Sequence, residues 1–244
     1  MLFIYRIAIN IILLISPLII IYRIIKKKED PKRFFEKIGR FKNKKKNKNL
    51  IWFHGSSVGE VLSVVPLIEK LEKKKNLKKI LITSNTLSSA KIIKNLKLKN
   101  TFHQYFPLDS NFLVKKFLNH WKPKAVFFID SEIWPNMIKN LNKKNIPVIL
   151  LNGRITKKTF NRWKMISSFS KKIFDNFNLC LSSSIESKKY LKSLGATNVK
   201  LLGNIKFSQL ENEKNTLNKK IKKFIKSKKT WCASSTHGPE EIFC

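Results

Sequence analysis

Between residues 50 and 202, short apolar runs alternate with longer amphipathic ones, and this alternation constrains the fold more than any other feature of the chain. The runs LIWFH (50–54), ILIT (80–83), AVFFI (125–129), PVILL (147–151), LCLS (179–182) and VKLL (199–202) read as strands. Helical stretches are expected between them, near 59–74, 86–97, 110–120, 134–145, 157–174 and 185–194. Uniformly apolar strands separated by helices imply a parallel sheet covered on both faces. The expected fold is therefore α/β, a Rossmann-like doubly wound parallel sheet over residues 50–206. Ligands of such sheets sit beyond the carboxyl ends of the strands. The loops to search are GSSVGE, DSEIWPN and NGRIT.

The flanks differ in kind. Residues 1–25 hold a membrane-anchor helix whose uninterrupted apolar part, between Arg6 and Arg23, is shorter than the roughly 20 residues that cross a bilayer upright. It either spans with its arginines snorkelling or lies partly inserted. The basic stretch that follows, 26–49, favours the cytoplasmic side for the globular part in the first case and attracts anionic lipid in the second. After the sheet, residues 207–230 read as a polar, lysine-rich helical linker. WCASSTHGPEEIFC (231–244) starts a new apolar segment too short to bury itself, and reads as the opening of a second domain missing from the chain.

A net charge of +36 raises the question of nucleic acid. All but six of the 51 basic residues are lysine, spread along the whole chain, and arginine, the usual reader of bases, is scarce. No nucleic-acid partner is expected, whereas an anionic membrane or a phosphorylated substrate is favoured. Cys180, Cys232 and Cys244 lie far apart with no metal-ligand spacing, and His54, His103 and His120 read as structural, so no metal is expected.

Glu60 follows a strand and a loop containing Gly55 and Gly59, at the start of a helix that also contains Pro66, a residue that warns of a kink or a late start. A helix N-terminus stabilises negative charge, which favours an ionised carboxylate able to accept a proton. A first-turn acid that merely complements the helix dipole is the plainer alternative. In the next loop Asp130 is the better candidate for a helix cap and Glu132 for a functional acid. Arg154 and Lys206 lie on later loops, where cations suit a carboxylate or phosphate, although one loop lysine means little in so basic a chain. The chain has no Walker, GxGxxG or HExxH motif.

In order, RFFEKIGRF, IWFHGSSVGEVLSVVPLIEKL, ILITSNTLSSA, YFPLDS, FFIDSEIWPNMI, IPVILLNGRIT, LGNIKF and ASSTHGPEE resemble segments of the bacterial 3-deoxy-D-manno-octulosonic acid (Kdo) transferases of lipid A biosynthesis. The resemblance implies an inverting glycosyltransferase of the two-domain GT-B type, with an acceptor-binding domain followed by a CMP-Kdo-binding one. It implies Glu60 as proton acceptor, Glu132 and Lys206 as transition-state stabilisers, and Ser56, Ser57, Gly59 and Arg154 as substrate-binding. It implies no cofactor beyond the donor substrate CMP-Kdo, a lipid A precursor as acceptor, and the cytoplasmic face of the inner membrane as location. Because the chain stops at the start of the donor-binding domain, the 244-residue chain alone is expected to be inactive.

Overall fold

In a computed structural model, the structure describes residues 1–41, 49–74, 79–96, 98–206 and 219–227. Seven parallel strands form one sheet in the order β3-β2-β1-β4-β5-β6-β7. They are β1 (Leu50–His54), β2 (Lys79–Ser84), β3 (Thr101–Tyr105), β4 (Ala125–Ile129), β5 (Val148–Gly153), β6 (Leu179–Ser182) and β7 (Val199–Leu201). The helices are α1 (Leu2–Ile25), α2 (Val58–Glu72), α3 (Leu87–Asn95), α4 (Asn111–Trp121), α5 (Pro135–Lys143), α6 (Lys157–Lys164), α7 (Ser167–Phe174), α8 (Ile185–Ser193) and α9 (Lys219–Ser227). By contacts the chain divides into Met1–Gln209 and Leu210–Cys244, and of the second unit only α9 is described. The expected opening of a second domain at 231–244 lies outside the described residues.

The doubly wound expectation holds. Strand order reverses between β1 and β4, which pair in parallel from Ile51↔Ala125 to His54↔Phe128. Alternate residues of the central strands feed cores on opposite faces, with Trp52 and Phe128 on one side and Phe53 and Ile129 on the other. Helix starts follow local chemistry: Ser57, Thr86, Ser110, Thr156 and Ser184 each accept a backbone N–H of the first turn through the side-chain oxygen.

Three expectations need correction. TFHQY (101–105) is a strand, missed because an edge position lets it carry polar residues in half-buried places. The single helix expected at 157–174 is two, α6 and α7, broken at Met165 and Ile166. The helix holding Pro66 starts early, at Val58, and runs on to Glu72.

Residues 26–41 fold onto the sheet, with a 3-10 turn at Phe34–Ile38. Buried Glu36 accepts from Arg33 at 2.8 Å and from the backbone N–H of Tyr105 at 2.9 Å, which ties this stretch to the end of β3.

Candidate functional site

The topological switch lies between β1 and β4, where ligands of such sheets sit, and the two acids singled out in the sequence stand on the loops that follow these strands. Gly55 makes the first approach possible. A Cβ there would stand 3.0 Å from the Glu60 Cβ and 3.3 Å from the Ile129 Cδ1, so only glycine lets α2 begin this close to the end of β4.

Glu60 closes a capping box on α2. Its Oε1 accepts from the Ser57 hydroxyl at 2.8 Å and its Oε2 from the Ser56 backbone N–H at 2.7 Å, while its own N–H donates to Ser57 Oγ at 3.4 Å. The dipole-complementing role is therefore real. It does not keep the acid strong: burial pushes the Glu60 carboxyl above the usual range, and the nearby Glu132 and Asp130 charges add to this against the Ser57 and Ser56 hydrogen bonds. The expectation that the helix N-terminus favours the ionised form is corrected here, because desolvation outweighs it.

Glu132 meets the opposite fate. Its side chain is 15% exposed, and burial alone pushes it upward. Hydrogen bonds from His54, Ser56 and Trp134, with the His54 charge, outweigh burial and hold the carboxyl below its usual range. Oε2 takes the Trp134 Nε1–H at 2.7 Å and lies 3.1 Å from His54 Nε2. His54 is fully buried at the last position of β1, stacked on Phe106. Its Nδ1 lies 2.9 Å from Thr83 Oγ1, which also receives the Trp52 Nε1–H at 2.8 Å. Nδ1 also lies 3.2 Å from the Thr83 carbonyl, and because an ionised carboxylate only accepts, Nε2 carries the hydrogen shared with Glu132. His54, read as structural in the sequence, is thus a direct partner of Glu132. The available signal was its place as the last residue of a buried strand, immediately before the glycine loop.

Ser56 stands between the acids, its N–H on Glu60 and its side chain on Glu132, with Asn85 Nδ2 donating to its Oγ at 2.7 Å. Gly59 is exposed, and a Cβ added there would meet nothing, which leaves open space over the first turn of α2.

Asp130 does not cap α5. Trp134 occupies that position without a side-chain bond, and Asp109, from the loop after β3, accepts the Asn136 and Met137 N–H groups at 2.9 and 2.8 Å instead. Asp130 has φ of 65° and turns its carboxylate to Lys206, whose Nζ lies 2.9 Å from Oδ2, while its buried Oδ1 has no hydrogen-bond partner in the structure. The Asp130 carbonyl accepts the Arg154 N–H at 3.2 Å. Arg154 and Lys206 then line a cleft of about 570 Å³ with Asn152, Ser183, Ser184 and Asn204, into which the first turns of α6 and α8 also open. The structure gathers Glu60, Glu132, Ser56 and Ser57 at one point and sets Lys206 and Arg154 beside it across Asp130.

This arrangement has relatives. The family model of 3-deoxy-D-manno-octulosonic-acid transferase (kdotransferase) matches residues 32–209. The 3-deoxy-D-manno-octulosonic acid transferase of Rickettsia bellii is 36% identical over 227 residues, 91% of this chain and 53% of the relative. That of Haemophilus influenzae is 30% identical over 197 residues, 78% of this chain and 46% of the relative. The chain spans about half the length of the curated relatives it matches. Among solved structures, the UDP-GlcNAc 2-epimerase of Neisseria meningitidis superposes with a TM-score of 0.50 at 16% identity, over 73% of this chain and 53% of its own. A second UDP-N-acetylglucosamine 2-epimerase gives 0.53 at 11%, over 72% and 54%. At that identity these likenesses speak to the fold alone.

Proposed function

The chain belongs to the 3-deoxy-D-manno-octulosonic acid transferase family, and from that premise we propose that it forms the acceptor-side half of an inverting GT-B glycosyltransferase that moves Kdo from CMP-Kdo to a lipid A precursor. The observation that carries this reading is the pair of carboxylates at the switch point, one pushed up and one held down. Two acids whose environments drive them apart are suited to different roles in one reaction.

A sugar hydroxyl attacks poorly until its proton is removed. Glu60, weakened as an acid, is the stronger base, and it takes that proton as the hydroxyl attacks the anomeric carbon of Kdo. The hydroxyl approaches over Gly59 and replaces Ser57 as the partner of Oε1. The bond to CMP breaks on the opposite face, so the electron pair leaves with the phosphate and configuration inverts. Glu132, kept ionised by His54 and Trp134, offsets positive charge developing on the sugar ring, and Lys206 offsets negative charge on the Kdo carboxylate and the departing phosphate. Arg154, Ser56 and Ser57 position the acceptor. No cofactor enters this scheme. Residues 50–206 are the acceptor-binding domain and 207–230 the linker. CMP-Kdo binding is assigned to the part of the relatives' length that this chain does not span.

The apolar α1 and the family support membrane association, and we place the globular part on the cytoplasmic face of the inner membrane. The test is Kdo transfer from CMP-Kdo to a lipid A precursor, by membranes containing the full product of the reading frame that carries this sequence. A product of inverted anomeric configuration is expected. Retention, or transfer to no lipid A precursor, would sink the proposal.

A further inference from the structure

Helix α1 is apolar and long enough to cross a bilayer, yet it is tied to the globular domain at both ends. In its first turns Tyr5 donates to Asp109 at 2.7 Å and Arg6 Nε donates to Asn136 at 2.9 Å. At its last turn Arg23 pairs with buried Glu29 at 3.2 Å. Glu29 holds Lys37 at 2.7 Å, and Lys37 donates to the Asn85 carbonyl at 3.2 Å. Between these ties Tyr5, Ile9, Leu13, Ser16, Ile20 and Ile24, spaced three or four apart, form one half-buried to buried stripe. A helix of 24 residues is about 36 Å long, so this stripe runs the full length of the element. The opposite face is bare, with Phe3, Leu14, Leu18 and Ile25 exposed by 74%, 82%, 71% and 72%.

An upright helix would carry Arg6 and Tyr5 away from Asn136 and Asp109, leaving a buried carboxylate and a buried amide short of partners. A helix lying along the domain keeps every one of those bonds. Its polar side is then supplied by the domain, and its apolar side is free for lipid. Charge says which lipid: Lys26, Lys27, Lys28 and Lys32 are exposed just beyond the last turn, and lysines so placed are drawn to anionic headgroups. We propose that α1 lies in the plane of an anionic phospholipid bilayer, at the headgroup–acyl boundary, as a monotopic docking surface and not as a span. Asn85, Asp109 and Asn136 follow β2, β3 and β4, so this surface borders the same sheet edge as Glu60 and Glu132. An acceptor lipid then presents its headgroup to the site without leaving the bilayer.

The inference rests on the membrane association proposed above, and its test separates the two. The 244-residue chain carrying Cys232→Ser and Cys244→Ser, with buried Cys180 kept, receives Phe3→Cys or Ile25→Cys, both at exposed positions where folding is spared. In inverted membrane vesicles with the globular part outside, a membrane-impermeant maleimide is expected to treat the two positions alike, with both shielded by lipid before detergent and both labelled after it. Labelling of Ile25→Cys before detergent and of Phe3→Cys only after it would mean a span and would overturn the in-plane geometry while leaving membrane association intact. With synthetic vesicles, binding to phosphatidylglycerol-containing membranes is expected to exceed binding to pure phosphatidylcholine by about tenfold or more. Equal binding to both would overturn the anionic part. Failure to bind either would overturn the docking surface together with the proposed location, with the transfer chemistry untouched.

Discussion

Glu60 and Glu132 are the same residue type on neighbouring loops of one sheet edge, and their surroundings drive them in opposite directions. Glu60 is partnered by the first turn of its own helix, and burial still wins, raising its pKa. Glu132 is more enclosed, yet His54 and Ser56 from the end of β1 and its loop, and Trp134 from its own loop, converge on it and the pKa falls. Enclosure alone therefore does not set the protonation state. What decides is whether the protein supplies donors to replace the water it removes.

The comparison can be broken first at Glu60. In the transfer assay Glu60→Gln should lower kcat by about 10²- to 10⁴-fold with acceptor binding retained, as loss of a general base does. An undiminished rate would leave Glu60 a capping residue only. The same variant tests a difference in sign. A carboxyl raised in the folded state contributes stability that is present below its unfolded pKa and lost as pH rises through the folded one. A depressed carboxyl contributes stability that is present above its unfolded pKa and lost as pH falls through the folded one. Glu60→Gln should thus remove a loss of Tm on raising pH above about 4.5, and Glu132→Gln a loss on lowering it below about 4.5. Matching pH profiles of Tm in the two variants would erase the contrast.

A smaller effect is expected at His54, a positioning residue. His54→Ala should cut kcat by about tenfold and raise the Glu132 pKa, followed by carboxyl carbon NMR. His54→Gln should recover much of both, because its amide Nε2–H can donate to Glu132. A rate loss in both variants with the Glu132 titration unmoved would reduce His54 to packing. Smallest is Ser57→Ala, which takes from α2 its cap and from Glu60 one donor. It should cost about 1 kcal/mol of stability in denaturant unfolding. It should also move the acid limb of kcat/KM to higher pH, since the lost hydrogen bond lowers the Glu60 pKa. A limb that moves down would contradict the role given to that bond.

Much of this is legible in the sequence alone. Five of the seven strands hold continuous apolar runs, and burial on both faces is what writes such runs into a sequence, while β7, VKL at the other edge, shows only Val199 and Leu201. Edge strand β3 was not legible, because one side of its backbone has no neighbouring strand and the apolar demand relaxes. Glu60 and Glu132 were visible as acids after strands, and Lys206 through its motif. His54 was hidden by its own surroundings, since a histidine at the end of a buried strand reads as packing until the loop that meets it is known. Asp130 misled for the same reason: proximity along the chain suggested a cap for α5, and Asp109, 27 residues before Asn136, supplies it.

The sequence by itself determined the doubly wound sheet, the loops at its carboxyl edge and the apolar character of α1. Each of these follows from periodicity and from residue types a few positions apart, where the backbone fixes who neighbours whom. Only the tertiary structure decided the opposite pKa shifts of the two carboxylates, the partner of His54, the pairing of Asp130 with Lys206 and the course of α1 along the domain. Those depend on groups brought together from distant positions, where desolvation and hydrogen bonding are set by what the fold places within about 3 Å.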